Sequence, residues 1–414
     1  MAKKLKCVIF GINDVIVKQG EQVPTLYSEI GRLMKFLQFK GITPVYFGNH
    51  DWTYTDDSGK KRRFQEVVNE EWGQFPWFIP FNDGTPIKGK KEASEHILNR
   101  LGIDRAEAVY IGNSEKDMQT AVNGGLLFLN VTWYSRNTEY GFFFDSVLDI
   151  AKFIDTFCLR DSLWHYSIEV PDLRYYALAP YSTMIPEFAY LSSDARAAAK
   201  FGMGHVDFWT KYLFSTIYFS ELFKEINYIA VVPSSKAGSG NTIMTDPMST
   251  FAKCFRQKFL SDLIIRHSTI SPSHNAYKTG VVLNHKRQLD SIMLNEYPVN
   301  RPGVPYVKCP ITSEKTVLLM DDICTHGYNM EAARLYIEQT GAKVICMSWL
   351  KTIKRGYEQI KQRYQFNPFQ KTEFPEVTGI DIHPYRNFIV DDYAPEELTQ
   401  KLKAYDNWTW PAGI

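Results

Sequence analysis

Strand-length apolar runs alternate with helical periods along most of this chain, and that alternation constrains the fold more tightly than any single motif. Residues 5–10, 44–47, 108–111 and 126–131 are short buried runs. Between them Leu26, Ile30, Leu33, Met34 and Leu37 recur at helical spacing, and helices are expected over 90–101 and 115–123, the last closed by Gly124 and Gly125. The pattern resumes with strands at 228–232, 263–265, 316–320 and 344–349. Helices are expected over 245–259, where Met248, Phe251, Phe255 and Phe259 share one face, and over 329–340, ending at Gly341. Mainly parallel sheets with helices on their faces satisfy such alternation. A chain of 414 residues is too long for one core. It is therefore read as an α/β protein of two domains. The first covers 1–158, an aromatic-rich helical connector or hood covers 159–224, the second domain covers 225–355, and an extension with a helix near 395–404 covers 356–414.

Composition narrows the function classes. A net charge of +1 supplies no global basic field for nucleic acid. The local cationic runs at 60–63 and 88–91 read as solvated loops, and 268–285 as a long polar loop. Cys7, Cys158, Cys254, Cys309, Cys324 and Cys346 form no C-x-x-C pair, which points to a reduced interior rather than a disulfide framework or a zinc site. The N-terminal residues lead into a strand instead of a signal-peptide core, and no apolar run is long enough to span a bilayer. A cytoplasmic protein without membrane association is expected, with its oligomeric state open.

The chemistry-bearing segment is Val317-Leu318-Leu319-Met320-Asp321-Asp322-Ile323-Cys324-Thr325-His326-Gly327-Tyr328-Asn329. A buried strand delivers two carboxylates to the carboxyl edge of a sheet, where open α/β folds bind ligands. The glycine-bearing turn and helix start that follow present backbone N–H groups and a positive dipole end, which suit a phosphate. The carboxylates can accept hydrogen bonds from sugar hydroxyls.

This segment resembles the phosphoribosyl-pyrophosphate signature of the type I phosphoribosyltransferases. The resemblance implies that Asp321 and Asp322 hold the ribose 2′- and 3′-hydroxyls, and that Thr325, His326, Gly327, Tyr328 and Asn329 wrap the 5′-phosphate. His326 and Asn329 depart from the small hydroxyl residues usual there, and Tyr328 is bulky. Upstream, Val231-Val232-Pro233-Ser234-Ser235-Lys236 looks like the pyrophosphate loop of the competence-factor-F-like branch of that superfamily. Ser234, Ser235 and Lys236 would then meet the leaving pyrophosphate, with Gly238 and Gly240 allowing close backbone approach. A mobile loop in the same branch has its counterpart at 271–287, where Lys278, Lys286 or Arg287 would close over the pyrophosphate. The implied chemistry is displacement at the ribose anomeric carbon, with Mg²⁺ held mainly through the substrate near Asp321 and Asp322.

The first domain carries Val8-Ile9-Phe10-Gly11-Ile12-Asn13-Asp14 and Gly112-Asn113-Ser114-Glu115-Lys116-Asp117. These resemble the first and fourth motifs of the haloacid-dehalogenase superfamily, and imply a Rossmann-like domain. Gly11 stands where the nucleophilic aspartate belongs, Asn13 where the acid/base aspartate belongs, and Asn113 where a metal-binding acid belongs. Gly48-Asn49 takes the place of the second motif's hydroxyl residue, and Lys88, Lys90 or Lys91 that of the third motif's lysine. A glycine cannot attack phosphorus and an amide cannot serve as general base, so a phosphatase fold without phosphatase chemistry is expected. Asp117 beside a lysine is left to bind a phosphate-bearing ligand weakly.

Two functions are expected. The first is a phosphoribosyltransferase-type enzyme acting on phosphoribosyl pyrophosphate or a related nucleotide with Mg²⁺. The second is an effector: fusions of a degraded enzyme domain with a phosphoribosyltransferase-like domain resemble toxins of prokaryotic antiphage systems of the retron type. That resemblance implies a reverse transcriptase and its RNA–DNA product as partners.

Overall fold

The computed structural model describes residues 3–18, 22–55, 59–238, 242–270, 284–301, 304–386 and 393–414. Two six-stranded sheets organise them. The first contains β1 (Cys7–Phe10), β2 (Thr43–Phe47), β3 (Trp77–Phe78), β4 (Ala108–Gly112), β5 (Leu127–Val131) and β6 (Phe142–Phe144) in the order β3-β2-β1-β4-β5-β6, all parallel. The second contains β7 (Tyr166–Val170), β8 (Leu173–Tyr181), β9 (Tyr228–Val231), β10 (Lys258–Phe259), β11 (Thr316–Cys324) and β12 (Lys343–Thr352) in the order β10-β9-β11-β12-β8-β7. Only the edge pair β7/β8 is antiparallel there. The α/β class with mainly parallel sheets is thus as the alternation requires.

Local chemistry sets the helices of the first half where the periods place them. The helix α1 (Pro24–Phe39) opens on a proline, whose missing N–H costs nothing there, and buries Ile30, Leu33, Met34 and Leu37. The helix α2 (Lys91–Leu101) ends at Gly102 in the left-handed region. The helix α3 (Glu115–Gly124) is capped by Ser114, whose hydroxyl accepts from the Asp117 N–H, and closes on Gly125 at φ 66°.

Three expectations are corrected. The connector at 159–224 is helical only in part. Its helices α4 (Pro186–Phe201) and α5 (Val206–Phe219) follow two strands, β7 and β8, that complete the second sheet. Strand β8 is buried on both faces from Tyr175 to Pro180, so it lacks the polar–apolar alternation that would mark it in the sequence. The helix expected over 245–259 is α6 (Thr242–Cys254); Arg256 at φ 56° ends it, and Lys258–Phe259 pairs with β9 as an edge strand. The strand expected over 316–320 runs on to Cys324, because β12 offers pairing partners as far as Lys351. The polar loop at 268–285 lies for the most part outside the described residues.

The two sheets share one continuous apolar cluster, from Val8 and Phe36 of the first half to Trp209, Leu318 and Trp349 of the second. Phe142 meets Phe214 at 4.6 Å between ring centroids, and Phe157 meets Phe208 at 5.2 Å. The Tyr218 hydroxyl donates to the Arg105 and Ala108 carbonyls at 2.7 and 2.6 Å. All six cysteines are free and buried, as a reduced interior requires. No helix among the described residues is long and apolar enough to cross a membrane.

Candidate functional site

Topology selects the carboxyl edge of the second sheet. The chain places β10 outside β9, then crosses back to put β11 and β12 on the other side. The crevice where strand order reverses therefore lies between the ends of β9 and β11. Parallel pairing sets Val231 opposite Met320, and the Val232 N–H donates to the Met320 carbonyl at 2.8 Å. Ser234, Ser235 and Lys236 thus leave the sheet beside Asp321 and Asp322.

Successive strand residues project to opposite faces. Asp321 lines a small cavity of about 60 Å³ together with Gln288, Thr325, His326, Gly327, Tyr328 and Asn329. Asp322 turns the other way, and its Oδ2 lies 2.9 Å from Nζ of Lys200 on α4. Asp321 Oδ1 accepts from the Asp322 N–H at 2.8 Å, and Asp322 Oδ1 from the Ile323 N–H at 2.6 Å. Burial and the adjacent Asp322 carboxylate push the Asp321 carboxyl well above the usual range.

The turn after the acids is held from behind. Gly327 adopts φ 89°, and a Cβ there would meet the Tyr357 ring at 2.7 Å, so both conformation and space demand glycine. Lys351, almost fully buried, donates to the carbonyls of Thr325 (2.7 Å), Thr352 (3.2 Å) and Arg355 (2.6 Å). The helix α8 (Tyr328–Glu338), which follows α7 (His285–Leu289), then begins at the turn and directs its N-terminus to the same edge. His326 and Tyr328, the departures from the expected small residues, do not fill the turn. Their rings stack at 5.3 Å, Tyr328 meets His285 edge-on at 4.6 Å, and the Tyr328 hydroxyl reaches Glu358 at 3.4 Å. Burial lowers the His326 pKa and Glu358 opposes that only in part. Two amides lining the cavity, Gln288 and Asn329, each keep a buried oxygen with no partner among the described residues. A bound group can supply one.

The segment 234–238 is braced by Arg266. Its Nε donates to the Ser234 carbonyl at 2.6 Å and its Nη1 to Ser291 Oγ at 2.5 Å, while its own carbonyl accepts from the Gly238 N–H at 3.1 Å. Burial lowers the Arg266 pKa to about 10, with the Asp321 field opposing, so it stays charged at neutral pH. Lys236 is exposed at the crevice. Of the expected closing cations, Lys278 lies outside the described residues, Lys286 pairs with Asp290 on its own helix at 2.5 Å, and Arg287 buries an Nη1 with no partner among the described residues. Sequence reasoning missed Lys200, Arg266, Lys351 and Glu358. Arg266 follows a short strand and Lys351 ends one, which are usable signals; Lys200 carries none.

The carboxyl edge of the first sheet is closed instead. Lys88 is the lysine that reaches it, and is not solvated: its Nζ lies 2.7 Å from Asp117 Oδ1, with side-chain exposures of 9% and 2%. Asp117 also accepts from the Tyr110 hydroxyl at 2.8 Å and the Ser114 hydroxyl at 2.7 Å. Burial raises its pKa, but Lys88, Ser114 and Tyr110 outweigh burial and hold the carboxyl below the usual range. The Asn113 amide donates to the Val131 and Ser135 carbonyls, both at 2.6 Å, and accepts from Asn137. Both N–H donors of that side chain and one acceptor site of its oxygen are thus engaged by the end of β5 and the loop after it. No cluster of three or more His, Cys, Asp or Glu fit to hold a metal occurs among the described residues. At the second sheet, Asp321 is the carboxyl that faces the cavity, and a Mg²⁺ there would take most of its oxygen ligands from phosphate and water.

A cleft of about 580 Å³ lies at the opposite edge of the second sheet, where Leu173, Thr316 and Lys343 begin their strands, away from both clusters.

No family model matches this sequence, and no curated protein does. Solved structures match about a third of the chain. A phosphoglycolate-phosphatase-like protein from Lactobacillus delbrueckii is 25% identical, covers 31% of this chain and 53% of its own length, and gives a TM-score of 0.25. A subfamily IA hydrolase of the haloacid-dehalogenase superfamily from Geobacter sulfurreducens is 13% identical, covering 36% of this chain and 96% of its own, with a TM-score of 0.26. A hydrolase of that superfamily from Ehrlichia chaffeensis is 15% identical, covering 37% and 98%, with a TM-score of 0.28.

Proposed function

We propose that this protein binds phosphoribosyl pyrophosphate or a related phosphoribosyl nucleotide with Mg²⁺ at the carboxyl edge of the second sheet, and transfers the sugar phosphate at its anomeric carbon. The observation that carries the reading is the meeting of two segments some 85 residues apart at one topological switch point: the 234–236 loop beside the Asp321-Asp322 strand end and its glycine turn. In this reading Asp321 and Asp322 take the ribose hydroxyls, the turn at 325–329 takes the 5′-phosphate, and Ser234, Ser235 and Lys236 take the leaving pyrophosphate. The work of the protein is alignment and charge stabilisation. Mg²⁺ supplies positive charge at the pyrophosphate when bound. The first sheet is read as a haloacid-dehalogenase-like unit whose catalytic edge is sealed by the Lys88–Asp117 pair, a scaffold without turnover.

Ligand-induced stabilisation tests this. Saturating phosphoribosyl pyrophosphate with Mg²⁺ raises the Tm of the full chain by several degrees. The shift disappears in Gly327→Val, whose side chain collides with Tyr357. An equal Tm with and without the ligand would refute the reading.

A further inference from the structure

Lys200 competes with any sugar hydroxyl for Asp322. The Asp322 Oδ2 faces the ammonium at 2.9 Å and its Oδ1 holds the Ile323 N–H, so each oxygen already has a partner. Lys200 does not come from the second sheet's own strand–turn apparatus. It sits in the last turn of α4, which packs on β8, β11 and β12 and ends in the left-handed Gly202. Just beyond, His205 bridges Asp194 at 2.7 Å and Asp406 at 2.9 Å, so the end of α4 is tied to the C-terminal helix (Ala394–Tyr405) and the residue after it. The lysine side chain is 39% exposed and the Asp322 side chain 18%. The contact is open enough to break and sheltered enough to count.

Resting on the phosphoribosyl reading above, we propose that Lys200 is a displaceable latch: it occupies Asp322 in the ligand-free protein, and must release it before both carboxylates can engage one sugar. The latch lowers affinity by the free energy needed to break the pair. It also makes occupancy of the sugar site move the end of α4. Ribose hydroxyls and a Mg²⁺-bearing pyrophosphate compete for the carboxylate, and the freed ammonium returns to solvent.

The test is calorimetric titration of the full chain with phosphoribosyl pyrophosphate and Mg²⁺, comparing wild type, Lys200→Met and Lys200→Arg. The latch predicts that Lys200→Met binds roughly three- to ten-fold tighter, as removal of a partly exposed ion pair allows, and that Lys200→Arg stays near wild type. Equal or weaker binding by Lys200→Met overturns the latch and leaves the site intact. Tighter binding by both variants overturns it as well, since the retained charge would then do nothing. Binding by none of the three, with Asp322→Asn equally silent, removes the sugar-phosphate reading itself and the latch with it.

Discussion

Asp117 fills the space that a side chain on residue 11 would need: a Cβ built on Gly11 would lie 2.9 Å from Asp117 Oδ1 and 3.0 Å from Oδ2. The glycine therefore has a packing role of its own. It is the condition under which the Lys88–Asp117 pair can close the edge of the first sheet.

An aspartate at that position is not expected to confer phosphatase chemistry. Gly11→Asp forces a second carboxylate against Asp117 and overpacks the strand end, at a cost of about 1–3 kcal/mol or more. Urea denaturation should show a lower midpoint with no hydrolysis of a generic phosphoester. A stable variant with turnover would mean that the edge is an idle active site instead of a sealed one.

Breaking the pair from one side leaves a buried charge. Lys88→Met is expected to cost about 3–5 kcal/mol, and the double variant Lys88→Met/Asp117→Leu distinctly less. The folded pKa of Asp117 is depressed, so its contribution is complete above the unfolded value of about 3.9 and is lost as pH falls through the lower folded value. Comparing acid unfolding of the wild type with Asp117→Asn checks the sign.

Asp321 behaves in the opposite sense. Its folded pKa is raised, so its contribution is complete below the unfolded value and is lost as pH rises through the folded one. Asp321→Asn should therefore raise stability at neutral pH by about 1 kcal/mol or more while weakening ligand binding. A Tm at pH 7 below that of the wild type would contradict this.

Lys351 is the pin behind the turn at 325–329. Lys351→Met strips three carbonyls of their donor and should cost about 1–3 kcal/mol in stability. Amide exchange should rise at residues 325–329 before it rises in β11. Uniform loosening of the whole sheet would show that the lysine supports packing rather than the turn.

Much of this arrangement was legible in the sequence. The strands leading to Gly11, Gly112, Val231 and Asp321 were visible because each is a short apolar run followed by polar or small residues. The helices of the first half were visible through their period and their glycine stops. Strand β8 was not, because Tyr175 to Pro180 is buried on both faces and carries no alternation. The Lys200–Asp322 contact joins residues 122 positions apart (322 minus 200) through the packing of α4 on β11, and no local pattern encodes it. Lys88 carried two readings, part of a solvated run and one of three candidates for the lysine beside Asp117, and only the fold chooses between them.

The most direct test of the central claim is calorimetric binding of phosphoribosyl pyrophosphate in the presence and absence of Mg²⁺, for the wild type and for Asp321→Asn/Asp322→Asn. The account predicts Mg²⁺-dependent binding by the wild type and at least a hundred-fold loss, about 2.7 kcal/mol, in the double variant. Binding that survives loss of both carboxylates, or no binding by the wild type, would contradict it.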